Sequence, residues 1–210
     1  MLREAMLTLT LLPGWISPHD LQQQLVKPAT PVNRTFRDGI DGPVQPGQIV
    51  SVASLAGLHD VAPTLEPGTW VMYDVERWSF TPAEERAAPY RSMRRFVTAA
   101  RGYGMVAVLA PGHAFRERAA RRDADMFVAQ VQAITDPERY RDAVCRLARR
   151  FDGPLYAELT ANGRPGHRAR DLYRQWRAGR RCTRLFALWS PPPVTARNVR
   201  TANRFLSMLP

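Results

Sequence analysis

Short apolar runs recur along this chain, and most are followed by a segment with helical spacing. That alternation constrains the fold more than any other feature. The runs Leu7–Leu12, Ile49–Leu55, Trp70–Val75, Met105–Leu109, Met126–Ala129, Leu155–Leu159 and Leu185–Trp189 have strand length and are rich in Val, Leu, Ala and aromatic residues. They are mostly continuous rather than alternating, as strands buried on both faces are. A parallel sheet covered by helices is the expected result.

The intervening helices carry start and stop signals. Thr81-Pro82-Ala83-Glu84 reads as a capping box with proline at the first helical position. Pro89 then interrupts, and Tyr90, Met93, Val97 and Ala100 form an apolar stripe that stops at Gly102. Asp136-Pro137-Glu138 opens a second helix with Tyr140, Val144, Leu147, Ala148 and Phe151 on one face. Leu172 and Trp176, with a stop at Gly179, mark a third, and Val199, Ala202, Leu206 and Leu209 mark the last. Between Val26 and Gly47 neither period holds, and the prolines and glycines there predict a long irregular loop.

This β-then-α order fits an α/β fold, either a shortened TIM-like (β/α) barrel of parallel strands or an open doubly wound parallel sheet. No Gly-rich phosphate loop follows the first strand, and polar residues end several strands, which favours the barrel. At 210 residues the chain suits a single domain, 1–210, and is shorter than the ~250 residues typical of the eight-stranded form. Missing or short helices and seven strands are expected.

Composition narrows the class. Hydrophobic residues at 45% and charged residues at 23% are ordinary for a globular protein. No apolar run approaches the roughly 18–20 residues of a membrane span, and the start of the chain reads as a first strand rather than a signal peptide. Cys145 and Cys182 stand at a spacing that matches neither a disulfide framework nor a zinc site, so a cytoplasmic location is expected. The net charge of +11 invites a nucleic-acid reading. Lys27 is the only lysine, however, and so strong an arginine preference points to a genome rich in G and C.

The candidate chemistry lies where strands end. Alternation puts Trp70, Met72, Asp74 and Glu76 on one face and Val71, Tyr73 and Val75 on the other, the side a helix layer covers. The same test sends Tyr156, Glu158 and Thr160 inward, with Asn162 in the loop beyond. Gln130 and Trp189 end their strands, and His113 falls just past its own. Carboxylates facing one cavity can divide into a protonated acid and an ionised base or nucleophile, because neighbouring negative charges push their pKa values apart. Simpler readings stand beside this one. Asp74 and Glu76 can cap amides or pair with Arg77, Glu158 can pair with an arginine, His113 can be a surface residue, and Trp189 can be core. The clusters Arg91/Arg94/Arg95, Arg146/Arg149/Arg150 and Arg168 to Arg181 read as solvated helix faces.

The D-x-E of Asp74 and Glu76 at a strand end, with Trp189 closing the last strand, resembles barrel glycoside hydrolases of the chitinase type. That resemblance implies that Glu76 is the general acid and Asp74 its orienting partner. The two earlier aspartates of that family's D-x-x-D-x-D-x-E motif fall on Thr69 and Met72, so half of the motif is absent. The segment from Tyr73 to Pro82, YD-x-E-x-W-x-F-T-P, is also similar to one in uncharacterised actinobacterial proteins, which implies no activity.

The leading expectation is an enzyme of acid–base chemistry on a small or carbohydrate substrate, most simply glycoside hydrolysis. Glu76, Asp74 and Glu158 would be catalytic, with Gln130, Asn162, His113, Trp189 and Tyr156 binding substrate and no cofactor or metal required. One alternative keeps the site but makes the protein an isomerase, cyclase or lyase of a biosynthetic pathway. Another is a non-catalytic, basic nucleic-acid-binding module.

Overall fold

The structure, a computed structural model, describes residues 33–35, 49–116, 124–190 and 195–209. The predicted strand Leu7–Leu12 lies outside them. They fall into two compact units, one of Asn33–Gln130 with Arg146–Leu155, the other of Val131–Cys145 with the described residues from Tyr156 onward.

The first unit contains five strands, β1 (Asn33–Thr35), β2 (Ile49–Val52), β3 (Trp70–Tyr73), β4 (Val106–Leu109) and β5 (Met126–Ala129). Each pairs in parallel with the next in chain order. Helices α1 (Leu55–Val61), α2 (Ala83–Ala87) and α3 (Pro89–Gly102) fill the connections described between them. Consecutive residues of β2 are all buried, as are the last three of β3, β4 and β5, so both faces of this sheet are covered. That is why these strands read as continuous apolar runs. Helix α3 seals one face with Met93, Phe96, Val97 and Ala100, and Phe96 stacks on Tyr73 with ring centroids 4.9 Å apart. At the strand starts, the Asp125 carboxylate accepts from the Ala107 N–H of β4 and from Arg101 at the end of α3, both at 2.8 Å.

The second unit contains β6 (Leu155–Thr160) from Tyr156 on and β7 (Leu185–Trp189), again parallel, with α4 (Pro137–Ala148) up to Cys145, α5 (Ala169–Gly179) and α6 (Ala196–Leu206). Asp136 caps α4, its carboxylate accepting from the Arg139 N–H at 2.8 Å. Gly179 lets α5 approach α4, since a Cβ there would lie 2.9 Å from the Tyr140 ring. Gln175 of α5 donates to the Ile134 carbonyl at 2.7 Å, and Asn198 of α6 donates to Ser190 at 2.7 Å.

Among the described residues, the strands of each unit pair in chain order, with none inserted between sequence neighbours. A doubly wound sheet reverses its order at a switch point, whereas a (β/α) barrel does not. The fold is therefore α/β with parallel strands alternating with helices in the barrel order, as the sequence predicts.

Three expectations are corrected. The region 26–47 is not wholly irregular, because Asn33–Thr35 forms β1. Thr81 does not cap α2, whose first flanking residue is Pro82 with no side-chain cap. Cys145 and Cys182 are joined by a disulfide, their Cα atoms 4.9 Å apart, which ties α4 to the turn after α5. Among the described residues, no helix is long and apolar enough to cross a membrane.

Candidate functional site

The ladder of the first unit continues beyond the strands proper. The Asp74 N–H donates to the Val52 carbonyl at 2.9 Å, and Ala110 and Gly112 donate to Tyr73 and Val75 at 3.0 and 2.9 Å. The carboxylate of Asp74, 3% exposed, is thus carried on a hydrogen-bonded extension of β3. Its Oδ1 accepts from Gln130 Nε2 at 3.1 Å, and the same nitrogen donates to the Ala110 carbonyl at 2.9 Å. One amide group therefore ties the ends of β3, β4 and β5. Gln130 is in turn held by Arg116, whose Nη1 donates to the Gln130 carbonyl at 2.6 Å. A buried carboxylate held from a neighbouring strand has a defined orientation, as site residues on rigid elements do.

Glu76 follows two residues later and is half-buried. Its stem lies against Gly112, where a Cβ would come within 2.9 Å of Glu76 Cγ. The missing side chain at Gly112 is what leaves room for this glutamate. Its carboxylate takes no ion pair or hydrogen bond among the described residues. Arg77, the cation expected to neutralise it, instead sits over the Phe115 ring, 5.8 Å from the centroid. The Thr81 hydroxyl accepts from the Glu76 N–H at 3.3 Å and from the Trp78 indole at 2.8 Å, so it braces the loop. Trp78 meets Phe80 edge to face at 5.5 Å, and Phe80 is 57% exposed. An aromatic pair therefore stands on the loop that carries Glu76.

On the helix side of β3 lies a second buried carboxylate, which sequence reasoning misses. Glu85 of α2, 6% exposed, accepts from the Leu55 N–H at 3.0 and 3.3 Å and from the Tyr73 hydroxyl. Burial, then the hydrogen bond and charge of Glu85, push the Tyr73 phenol far above its ordinary value, while Ser92 and Arg95 oppose this weakly. A signal for the pair was present: a tyrosine assigned to a helix-covered face needs a hydrogen-bond partner. The covering segment "PAEE" offers two acceptors.

The second unit holds four of the expected site residues. Glu158 is 2% exposed on β6, opposite Ala187 of β7, and its backbone carbonyl accepts from the Tyr140 hydroxyl at 3.1 Å. Burial and the Glu158 charge push the Tyr140 phenol up. Tyr156 is 8% exposed, and burial pushes its phenol up to about 12, which marks it as core. Asn162 turns its side chain back on the chain, accepting from the Arg164 N–H at 2.9 Å. Trp189 is half-buried at the end of β7, opposite Thr160. In the first unit, His113 is exposed in the turn past β4.

The structure thus brings Asp74 and Gln130 into contact, with Glu76 on the same strand extension. Among the described residues, no group of three or more His, Cys, Asp and Glu side chains is placed to hold a metal ion. Comparison of the sequence with protein-family models and with curated proteins finds no match.

Proposed function

We propose that the protein is a carboxylate-dependent acid–base enzyme whose site lies at the ends of β3, β4 and β5, and that it hydrolyses a glycosidic bond. The observation that carries this reading is the pairing of two unlike carboxylates on one strand end. Asp74 is buried and clamped by Gln130, while Glu76 is half-buried and unpaired among the described residues. Parallel β/α proteins of the barrel order place their chemistry at this end of the strands. Glu76 is the general acid, reachable by a leaving-group oxygen. Asp74 is the positioning partner beside it, in the sense implied by the chitinase-type resemblance. Trp78 and Phe80 offer the apolar face on which a sugar ring stacks, a role the sequence reading gives to Trp189. Glu158, buried on β6 of the second unit, is the base or nucleophile that the sequence offers, and it is tested separately.

The Cys145–Cys182 disulfide supports an oxidising compartment for this activity, in place of the expected cytoplasm. Exported hydrolases of polysaccharides work in such surroundings.

The test is release of 4-nitrophenol from a panel of aryl glycosides, including N-acetylglucosaminides and their oligomers. Glu76→Gln keeps the shape of the side chain but removes its transferable proton, and it should cost roughly 10²-fold or more in kcat with an unchanged circular dichroism spectrum. Glu158→Gln, assayed beside it, reports whether a second carboxylate takes part. Hydrolysis that survives Glu76→Gln undiminished, or a wild-type protein inert on the whole panel, would sink the reading.

A further inference from the structure

Between α1 and α3 lies a groove of about 630 Å³, lined by His59, Tyr90, Arg91, Arg94, Arg95 and Thr98. We propose that it is a binding site for a small ligand carrying phosphate or sulfate groups, such as a phosphorylated sugar or a nucleoside diphosphate.

The charge of the groove is one-sided. Arg91, Arg94, Arg95 and Thr98 are spaced three, four and seven residues along α3, so they share one face and its guanidinium groups repel one another. No carboxylate lines the groove among the described residues. The arginines differ in their engagement. Arg95 is close enough to the buried Tyr73–Glu85 pair for its charge to act on the Tyr73 hydroxyl. Arg91 and Arg94 are exposed and make no ion pair among the described residues. Elsewhere arginines do find partners, as Arg101 does with Asp125 and Arg141 with Asp142, each at 2.8 Å. The face of α3 that lacks such partners is the one that lines a cavity.

The groove has shape as well as charge. His59 is oriented by a 3.0 Å hydrogen bond between its Nδ1 and the Tyr103 hydroxyl, with the two rings edge to face. When Tyr103 donates in that bond, Nε2 keeps its hydrogen and is a donor. Arginine forks, a ring N–H and the Thr98 hydroxyl together make a donor set suited to the oxygens of a phosphate or sulfate, which arginine binds in bidentate fashion. The volume falls within the roughly 300–1,000 Å³ of small-molecule sites. A duplex would need a continuous basic stripe rather than one cavity of this size.

The experiment is calorimetric titration at about 50 mM salt with inorganic pyrophosphate, glucose 1,6-bisphosphate and ADP, and with inorganic sulfate to compare the oxyanions. A random 20-base-pair duplex is titrated in parallel. At least one small anion should bind, and Arg91→Ala/Arg94→Ala should weaken it at least tenfold. Both positions are exposed, so the fold should survive, and Arg91→Lys/Arg94→Lys should recover part of the binding. Glu76→Gln should leave it unchanged, which separates this site from the strand-end one. Absence of binding by every small anion, equal affinity in the alanine variant, or tighter binding of the duplex through the same two arginines would each overturn the proposal.

Discussion

Tyr73 and Glu85 form the most consequential pair at the level of single residues. Tyr73→Phe leaves the carboxylate of Glu85 buried without its hydroxyl donor, and hydrogen bonds to charged groups contribute about 1.5–3 kcal/mol. Denaturant unfolding at pH 7 should show a loss of that order. The pH dependence follows from the raised phenols. A tyrosine with a folded-state pKa above its unfolded value near 10.0 stabilises the fold fully below pH 10 and loses that contribution as the pH climbs toward the folded value. For Tyr156 the window runs from about 10 to about 12, and for Tyr73 it extends further. Unfolding midpoints should therefore fall between pH 10 and 12, less steeply in Tyr73→Phe; a flat profile would show the phenols to be solvated. Gly112→Ala tests the other face, because its methyl group would displace Glu76. It should lower glycoside turnover at least tenfold with little change in stability; full turnover would show that the stem contact is dispensable. Asp74, Glu76 and Gln130 were legible in the sequence because strand alternation and strand ends set their side and height. Glu85 was not, since its partner depends on how α2 lies over β3, and no sequence period encodes that.

Among the elements, the strands were the most legible part of the fold. Burial on both faces writes itself as an apolar run, so Met126–Ala129 and Leu185–Trp189 are found with the predicted bounds. The errors have local causes. Asn33–Thr35 is a three-residue strand with no apolar residue, so it leaves no run to detect. The run from Ile49 does not stop visibly, but Ser54 ends it by capping α1, its hydroxyl accepting from the Gly57 N–H at 2.9 Å. Thr81 has the right residue type for a cap, but its hydroxyl is drawn to Glu76 and Trp78 instead. The disulfide was invisible because 37 residues separate the two cysteines and only the packing of α4 and α5 brings them together. In the chain-entropy account, a link across a loop of that length stabilises by about 2–4 kcal/mol. Cys145→Ser/Cys182→Ser, compared with the oxidised wild type, should lose that much unfolding free energy in denaturant titration. Peptide mapping without reductant should recover the linked pair, and two free thiols in protein prepared under oxidising conditions would refute the pairing.

Across the whole molecule, the net charge of +11 is the property with the widest reach, and several of the arginines behind it are engaged locally. Arg101 pairs with Asp125, Arg116 holds the Gln130 carbonyl, Arg77 covers Phe115, and Arg180 lies over Trp176 at 4.9 Å. A guanidinium held against a carboxylate or a ring is less available to displace counterions from a phosphate backbone. The parts of α3 that are not so engaged line a groove of small-molecule size rather than a long stripe. Duplex binding therefore rests on few phosphate contacts, and its dependence on salt should be shallow, since each contact adds a slope of about −0.9 in log K against log salt. Fluorescence anisotropy with a random 20-base-pair duplex should detect weak binding near 50 mM salt and none near 0.2 M. A slope of about −6 or steeper, with binding that persists at 0.2 M, would mean that many arginines act together on one duplex. In that case the basic charge would be a nucleic-acid surface, and the strand-end carboxylates would need another explanation.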